Sequence, residues 1–212
     1  MARFRLHHAP KTRSFRILWL LEELGADYEI APHEMMEGTH KRPEFLAINP
    51  GGKLPALEDR GPAGDWNGVA ISESAAICAY LGDTLPSDLT PAIGTPERAP
   101  YATYLAYGAA AMEPALMDMA FARAEPPRPG MAGWPDFAAT ITRIENQIAA
   151  PGGPFLLGKT FTVPDVMIGS LLQWVVGWGM HKPSPATSAY LAALDARPAL
   201  VRARAIDAPA SA

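Results

Sequence analysis

The apolar residues at the start of the chain follow two different periods. Phe4 and Leu6 alternate with polar neighbours, the period of two that predicts a short strand. Within 17–24, apolar side chains recur at the i, i+3, i+4 and i+7 spacing of a helix that faces a core. Gly25 follows as a natural helix stop, and the apolar stretch at 28–31 predicts a second strand.

Residues 54–81 continue the same small domain. Two short apolar strands, at 54–57 and 69–71, flank a turn-rich loop, which predicts a hairpin. A helix then begins in SESAAICAYL. The order is β-α-β followed by β-β-α, and it predicts one small mixed sheet with helices packed against it.

The pattern changes after a stretch rich in proline and glycine. GDTLPSDLTPAIGTP has no apolar periodicity and is typical of a linker. Beyond it, the apolar spacing is helical throughout. We therefore predict a sheet domain at 1–83, a linker at 84–96 and an all-helical domain at 97–212.

The segment FTVPDV predicts a complete helix start. Thr162 is the expected N-cap, and the side chain of Asp165, at the third helical position, is expected to accept the backbone N–H of Thr162 in return. Pro164 lies in the first turn, where its missing N–H costs nothing. Phe161 can pack on Val166 as a hydrophobic staple. We interpret this segment as a folding device.

Composition narrows the possible functions. The 212 residues are 49% hydrophobic and 19% charged, as in globular proteins that bury a sizeable core. A formal net charge of -4, with no basic run, argues against a nucleic-acid-binding surface. The single cysteine, Cys78, excludes an internal disulfide framework and fits a reducing compartment. With no secretory h-region and no apolar run of membrane-spanning length, we expect a cytoplasmic protein without membrane association.

Two kinds of binding motif are missing from the sequence. The adjacent His7 and His8 could suggest a metal, but no carboxylate or cysteine completes a set at a plausible spacing. No glycine-rich phosphate loop follows a strand. The sequence therefore predicts neither a metal nor a nucleotide.

Four segments together resemble the cytosolic glutathione S-transferase family. SFRILWLLEELGADYE is similar to its first helix, NPGGKLPALED to its thiol-recognition turn, and ISESAAICAYL to the helix that holds the glutamyl end of glutathione. FTVPDV matches a helix start in its all-helical domain. The resemblance, closest to bacterial members with a serine/threonine-type N-terminal motif, implies a thioredoxin-like N-terminal domain, an all-helical C-terminal domain and a homodimer.

The turn at Leu54-Pro55 has two interpretations. About one X-Pro bond in twenty is cis, so the residues alone favour a trans proline at a strand edge. The family resemblance implies a cis bond instead. The backbone N–H and C=O of Leu54 would then pair with the cysteinyl backbone of glutathione.

The resemblance also assigns the two charged ends of glutathione. Ser74 would bind the α-carboxylate of the glutamyl group at a helix N-terminus, and Glu73 would attract its α-ammonium. The residues alone favour a plainer interpretation, in which Ser72 and Ser74 are ordinary caps and Glu73 only complements the helix dipole. Lys53 and His40 are the candidates for the glycyl carboxylate, because charge-assisted hydrogen bonds are strong. Either could be replaced by a neighbouring cation, Lys41 or Arg42.

An enzyme that uses glutathione must stabilise its thiolate, because a free thiol is mostly protonated at neutral pH. The family does this with a Tyr, Ser or sometimes Cys just ahead of the first helix, but no Tyr or Cys precedes residue 28 here. Depending on register, the family's serine aligns with Lys11, Thr12 or Ser14. We predict Thr12 as first choice and Ser14 as second, with Arg13 helping. Alternatively, Ser14 only caps the helix and Thr12 is a turn residue.

The predicted function is conjugation of glutathione, as co-substrate and without a metal, to a small hydrophobic electrophile. Tyr104, Tyr107 and Met112 could provide aromatic and soft apolar walls for that electrophile, although their helical spacing is also typical of a core. Two alternatives stay open. One is a glutathione-dependent peroxidase, thiol transferase or dehalogenase on the same scaffold, and the other is a non-catalytic glutathione-binding or ligand-carrier protein.

Overall fold

The computed structural model describes residues 1–121, 125, 128, 130–150 and 152–208. Their contacts form two compact units. The first unit combines Met1–Pro86 with the chain from Arg197 onward, and the second spans Ser87–Ala196.

A mixed sheet forms the centre of the first unit. Its strands, in the spatial order β2-β1-β3-β4, are β1 (Phe4–His8), β2 (Tyr28–Pro32), β3 (Ala56–Asp59) and β4 (Val69–Ser72). β1 runs parallel to β2 and antiparallel to β3, and β3 runs antiparallel to β4. The parallel pair needs a crossover, which helix α1 (Phe15–Glu23) supplies.

Two helices follow the predicted pattern of this unit. The apolar face of α1 is fully buried, and it packs against α3 (Ser74–Thr84), where Ile77, Cys78 and Leu81 are buried. A short helix, α2 (Pro43–Leu46), lies between β2 and β3. The predicted βαβ-ββα sheet domain, with its thioredoxin-like order, is confirmed.

The last helix, α9 (Pro198–Asp207), belongs to the sheet unit, whereas the predicted division placed it in an all-helical domain at 97–212. It contacts α1, and its residues Ala199, Leu200 and Ala203 are buried. Arg197 forms two hydrogen bonds of 2.6 Å with Glu23, and Arg202 Nε donates to Glu22 at 2.6 Å. Apolar spacing predicts a helix but not its partner, so the sequence could not place α9. The division at 83 and 96 stays a prediction.

The second unit is helical, as predicted. Its helices are α4 (Arg98–Tyr107), which continues as a π-helical turn at Gly108–Met112, α5 (Glu113–Ala120), α6 (Phe137–Ala149), α7 (Val163–Gly177) and α8 (Pro185–Asp195). α7 is its central helix, with an unbroken buried run from Val163 to Leu172. Across the described ranges, every helix is too short or too polar to span a bilayer.

The start of α7 forms as the sequence predicts. The Thr162 N–H and hydroxyl both donate to Asp165 Oδ2, at 2.8 and 2.9 Å. Asp165 Oδ1 also accepts the backbone N–H of Leu156 at 2.8 Å. Phe161 and Val166, the two staple residues, are buried. Asp165 therefore fixes both the helix start and the loop that precedes it.

Candidate functional site

The sheet register gathers the predicted glutathione-binding segments at one end of the first unit. His7 pairs with Ala56, and Ala56 pairs with Ser72. The loop after β1, the turn before β3 and the residues after β4 therefore leave the sheet at the same end. Three of the segments that the family resemblance implicates are thus brought together by strand pairing.

The loop after β1 contains a compact hydroxyl network. Thr12 Oγ1 donates to the Ala9 carbonyl at 2.8 Å and lies 2.7 Å from Ser14 Oγ. Ser14 Oγ lies 2.8 Å from His8 Nδ1 and accepts the Ala9 N–H at 3.2 Å. The two candidate hydroxyls are therefore coupled to each other.

Ser14 does not act as the helix cap that the sequence suggested. It occupies the N-cap position of α1, but its side chain makes no capping bond. The hydroxyl turns inward to His8, and Ser14 has 0% of its surface exposed. Thr12 is half-buried, and its backbone N–H has no hydrogen bond within the described chain. Of the two hydroxyls, Thr12 is the one with access to a ligand.

The turn before β3 carries the Leu54–Pro55 bond, which is cis, in agreement with what the resemblance implies. Leu54 packs in one apolar cluster with Ala9, Phe45 and Ala56. The backbone of Ala9 also hydrogen-bonds to both hydroxyls, through its N–H to Ser14 and through its carbonyl to Thr12. This cluster therefore connects the Leu54 turn to Thr12. Neither backbone group of Leu54 has a hydrogen bond among the described residues, so both are available to a ligand.

The side chains of Asn49 and Lys41 form hydrogen bonds with the backbone of the same turn. The Asn49 amide donates to the Lys53 carbonyl at 2.8 Å, and its oxygen accepts the Gly51 N–H at 3.1 Å. Lys41 Nζ donates to the Gly52 carbonyl at 2.6 Å. This bond gives Lys41 a structural task, which weakens it as a replacement for Lys53. Sequence reasoning missed Asn49 because the side chain of a turn asparagine can face either the turn or solvent.

The residues after β4 form a helix N-terminus with an unusual first residue. Glu73 has φ 69° and ψ 122°, a left-handed conformation that costs a non-glycine residue about 1–3 kcal/mol. Its side chain is exposed, while Ser74 is the buried first residue of α3. The 11-residue helix directs its unpaired N–H groups and positive dipole end at this point. The arrangement suits an anion beside Ser74 and a cation beside Glu73.

The two candidates for the glycyl carboxylate lie in different settings. Lys53 is exposed and adjoins Leu54. His40 is half-buried on a 3-10 turn at Thr39–Lys41, and its buried Nδ1 has no hydrogen-bond partner in the described part of the chain. Lys53 is thus placed beside the turn, whereas no contact of the described residues brings His40 to it.

Two buried histidines, His7 and His33, form a chain of contacts with Glu58. His7 Nε2 is 2.9 Å from Glu58 Oε1, and His7 Nδ1 is 3.0 Å from His33 Nε2. Burial, joined by the charges of His7, His40 and Arg5, lowers the pKa of His33 to about 4. Burial also lowers the pKa of His7, against the opposing effect of Glu58. No cluster of three or more potential metal ligands occurs among the described residues.

These pKa shifts predict that the protein loses stability in mild acid. The unfolded chain takes up a proton at each histidine near pH 6.5, whereas folded His33 stays neutral down to about pH 4. The free energy of unfolding should therefore fall as pH drops through this window, by about 1–2 kcal/mol for His33 after allowance for solvent screening. Urea unfolding at several pH values would measure the loss.

The matched variant is His33→Gln, whose amide can still reach His7. We expect its stability curve to be flatter than that of the wild type between pH 6.5 and 4, with the two curves parallel above pH 7. Parallel curves over the whole range would show that His33 does not cause the acid sensitivity.

The predicted electrophile residues lie in the helical unit. The Tyr104 hydroxyl donates to Gln147 Oε1 at 2.8 Å, and Tyr104 borders a surface cavity of about 570 Å³ that is otherwise lined by α6. Tyr107 stacks under the Arg143 guanidinium, 4.3 Å from the ring centroid. Met112 is 1% exposed. Only Tyr104 contributes to the cavity, while Met112 is part of the core.

The fold and site together define a thioredoxin-fold protein with a helical second unit. The model of the glutathione S-transferase N-terminal domain matches residues 2–83. Glutathione S-transferase 3 from Zea mays is 31% identical over 94% of this chain and 92% of that protein. The chain therefore belongs to the glutathione S-transferase family.

The chain is also similar to two proteins whose names state different activities. The glutathione transferase URE2P6 from Phanerochaete chrysosporium, solved in complex with oxidized glutathione, is 25% identical with a TM-score of 0.78, covering 97% of this chain and 96% of that chain. The disulfide-bond oxidoreductase YfcG from Escherichia coli strain K12 is 37% identical over 37% of this chain and 36% of that protein. The similarity thus extends to relatives with more than one named activity.

Proposed function

We propose that the protein is a glutathione transferase that joins the glutathione thiolate to small hydrophobic electrophiles. The observation that carries the proposal is the convergence at one sheet end of the Thr12 hydroxyl, the unpaired backbone of Leu54 and the N-terminus of α3. These offer, in turn, a donor for sulfur, an antiparallel partner for a peptide and a site for a carboxylate.

Binding follows from these groups. The cysteinyl backbone of glutathione would pair with the N–H and C=O of Leu54, beside Pro55. Ser74 and the first N–H groups of α3 would hold the glutamyl carboxylate, and Glu73 the neighbouring ammonium. Lys53 would face the glycyl carboxylate, with His40 as the alternative. The strained backbone of Glu73 supports this assignment, since such conformations are concentrated at functional sites.

The chemical step uses the thiolate as the nucleophile. A thiol of pKa about 8.5 is mostly protonated at neutral pH, and a hydroxyl aimed at the sulfur favours its ionised form. The Thr12 hydroxyl would donate that hydrogen bond. The thiol proton passes to solvent, and the sulfur forms a bond to the electrophilic carbon. In a substitution the displaced group leaves with the bonding electron pair, and in an addition the electron pair of the double bond moves to the neighbouring atom, which takes up a proton from solvent. The serine/threonine type of motif, the homodimer and the cytoplasmic location belong to the same proposal.

A second candidate is glutathione-dependent thiol–disulfide exchange, which the similarity to YfcG favours. The protein's own cysteine does not support a direct role in it. Cys78 is buried in α3, and burial raises the pKa of its thiol to about 12. Any such reaction would depend on the thiol of bound glutathione.

Calorimetry with glutathione, combined with assays on chlorodinitrobenzene and on a peroxide, tests the proposal. We expect saturable binding and turnover of the aromatic halide. Binding with peroxide or disulfide turnover alone would favour the second candidate, and binding without turnover a carrier protein. Absence of binding would refute the site assignment.

The Glu73→Gly variant separates affinity from stability. Glycine adopts φ 69° without strain, so we expect the variant to be as stable as the wild type or up to about 1 kcal/mol more stable. Loss of the carboxylate should weaken glutathione binding by about 10- to 150-fold, since a hydrogen bond to a charged group contributes about 1.5–3 kcal/mol. Thermal unfolding and calorimetry measure the two effects.

The control for this experiment is Glu37→Gly, an exposed glutamate in the loop after β2. It should leave glutathione affinity unchanged. Unaltered affinity in Glu73→Gly itself would remove Glu73 from the site.

A further inference from the structure

The loop that carries Thr12 contains a strained residue. Lys11 has φ 58°, in the region where a side chain is disfavoured and glycine is favoured. Among the described residues, Glu73 is the only other residue with a side chain at a positive φ. Each of the two directly precedes a residue that the proposed function uses. Because such conformations persist only where surrounding contacts hold them, the contact that holds Lys11 bears on the site.

Asp207 supplies this contact from the other end of the chain. Both of its carboxylate oxygens accept the Lys11 N–H at 3.2 Å, and its side chain is only 15% exposed, which limits competition from water. A backbone N–H can only donate and an ionised carboxylate can only accept. The direction of the bond is therefore the same in every protonation state of His8, whose Nε2 lies 3.3 Å from Asp207 Oδ1. Pro10 has no N–H, and that of Thr12 is unpaired within the described chain, so this stretch is held through the Lys11 N–H.

Helix α9 can hold this loop because it lies antiparallel to α1 and reaches both of its ends. Arg197, just ahead of α9, forms two hydrogen bonds of 2.6 Å with Glu23, the last residue of α1. Arg202 Nε donates to Glu22 at 2.6 Å further along the pair. Asp207, the last residue of α9, reaches the loop ahead of α1. A packed helix thus fixes the position of the Asp207 carboxylate.

The Lys11 backbone sets the direction in which Thr12 leaves the loop. The hydroxyl and the backbone N–H of Thr12 are the two groups that could face a bound sulfur, and both directly follow the Lys11 torsion angles. In the present conformation the hydroxyl donates to the Ala9 carbonyl at 2.8 Å. A change of Lys11 to a negative φ would turn both groups away from their present positions. Loss of the Asp207 bond would allow that change and lower the fraction of molecules with Thr12 in place.

We propose that Asp207 is a positioning residue, which holds the strained Lys11 backbone and thereby places Thr12 for the sulfur of bound glutathione. The inference rests on the proposed function, because the ligand at Thr12 is the glutathione sulfur. Asp207 acts through its hydrogen bond and not through its charge. A carboxylate that acted by charge would oppose formation of a thiolate, so the two modes of action predict opposite shifts of the thiol pKa.

The pKa of the thiol of bound glutathione, read from the ultraviolet absorbance of the thiolate, tests the inference. We expect Asp207→Ala to raise this pKa by about half a unit, about a threefold loss of thiolate at neutral pH, because Thr12 is in place for a smaller fraction of the time. Asp207→Asn keeps an oxygen that accepts the Lys11 N–H and should stay close to the wild type. An unchanged or lowered pKa in Asp207→Ala, or equal shifts in the two variants, would overturn the inference.

Lys11→Gly provides the second background, because glycine adopts φ 58° without strain. The loop should then keep its conformation without Asp207. We therefore expect Asp207→Ala to raise the thiol pKa by much less in this background than in the wild type. An effect of the same size in both backgrounds would show that Asp207 acts by another route, such as its contact with His8, and would contradict the inference.

The matched control is Asp195→Ala in the helical unit. Asp195 is also the last residue of its helix, α8, and its Oδ1 accepts a hydrogen bond from Gln173 Nε2 at 3.0 Å. This variant should leave the thiol pKa unchanged, and an equal rise would show that the Lys11 contact is not the cause. Each of these contrary results would leave the proposed function intact, whereas a wild-type protein that binds no glutathione would overturn both.

Discussion

Replacing Asp165 by Ala should lower the free energy of unfolding by about 3–5 kcal/mol. The carboxylate is 0% exposed and accepts three hydrogen bonds, from the Leu156 N–H, the Thr162 N–H and the Thr162 hydroxyl. Alanine leaves these donors buried without partners, and each buried unsatisfied group costs about 1–3 kcal/mol. The hydroxyl can rotate to another acceptor, so the two backbone N–H groups account for most of the loss. Urea unfolding measures it as a fall in midpoint at constant slope.

The matched control is Asp136→Ala at the start of α6. Asp136 is also an N-cap aspartate, but it is exposed and accepts only the Ala139 N–H, at 2.7 Å. An exposed cap contributes about 1 kcal/mol. If the two variants lose the same stability, burial does not amplify the cost at Asp165, and the central role of this helix start would be disproved.

The Asp165 site also marks how far the sequence predicts structure. The bonds between Thr162 and Asp165 span three residues, so spacing alone predicts them. The bond from Leu156 depends on the path of the preceding loop, for which the sequence carries no periodic signal. Local partners could be predicted, while partners brought in by a loop could not.

The same distinction applies to the candidate site. The strands, α1 and the start of α3 follow from apolar spacing and cap residues, and these elements bring the loops after β1 and β4 to one end of the sheet. Asp207 bonds to Lys11 across 196 residues, and no pattern in either segment indicates that contact. The sequence suggests only a metal for His8, because Asp207, whose Oδ1 lies 3.3 Å from His8 Nε2, is 199 residues further along the chain. Contacts across such separations depend on tertiary packing, which no local pattern in a single sequence indicates.

Thr12→Val is expected to slow conjugation of glutathione about 100-fold. Valine keeps the shape of threonine but removes the only hydroxyl of the network that a ligand can reach. Loss of a donor to a developing or full negative charge costs about 10²–10³ in rate. The pKa of the bound thiol should rise by about 1–2 units, since a hydrogen bond to a charged group contributes about 1.5–3 kcal/mol. Thr12→Ser, which keeps the hydroxyl, should retain most of the activity.

Ser14→Ala separates direct from indirect action on the sulfur. Ser14 is enclosed, so its loss removes the hydroxyl that lies 2.7 Å from Thr12 Oγ1 and leaves the Ala9 N–H unpaired. We expect a smaller rise in thiol pKa than in Thr12→Val, together with a loss of about 1–3 kcal/mol in stability that Thr12→Val does not show. A thiol pKa unchanged in both variants would instead assign the sulfur to the backbone N–H of Thr12, which has no partner within the described chain and lies just ahead of α1. Because a side-chain donor is lost by substitution and a backbone donor is not, the two variants together decide which group stabilises the thiolate.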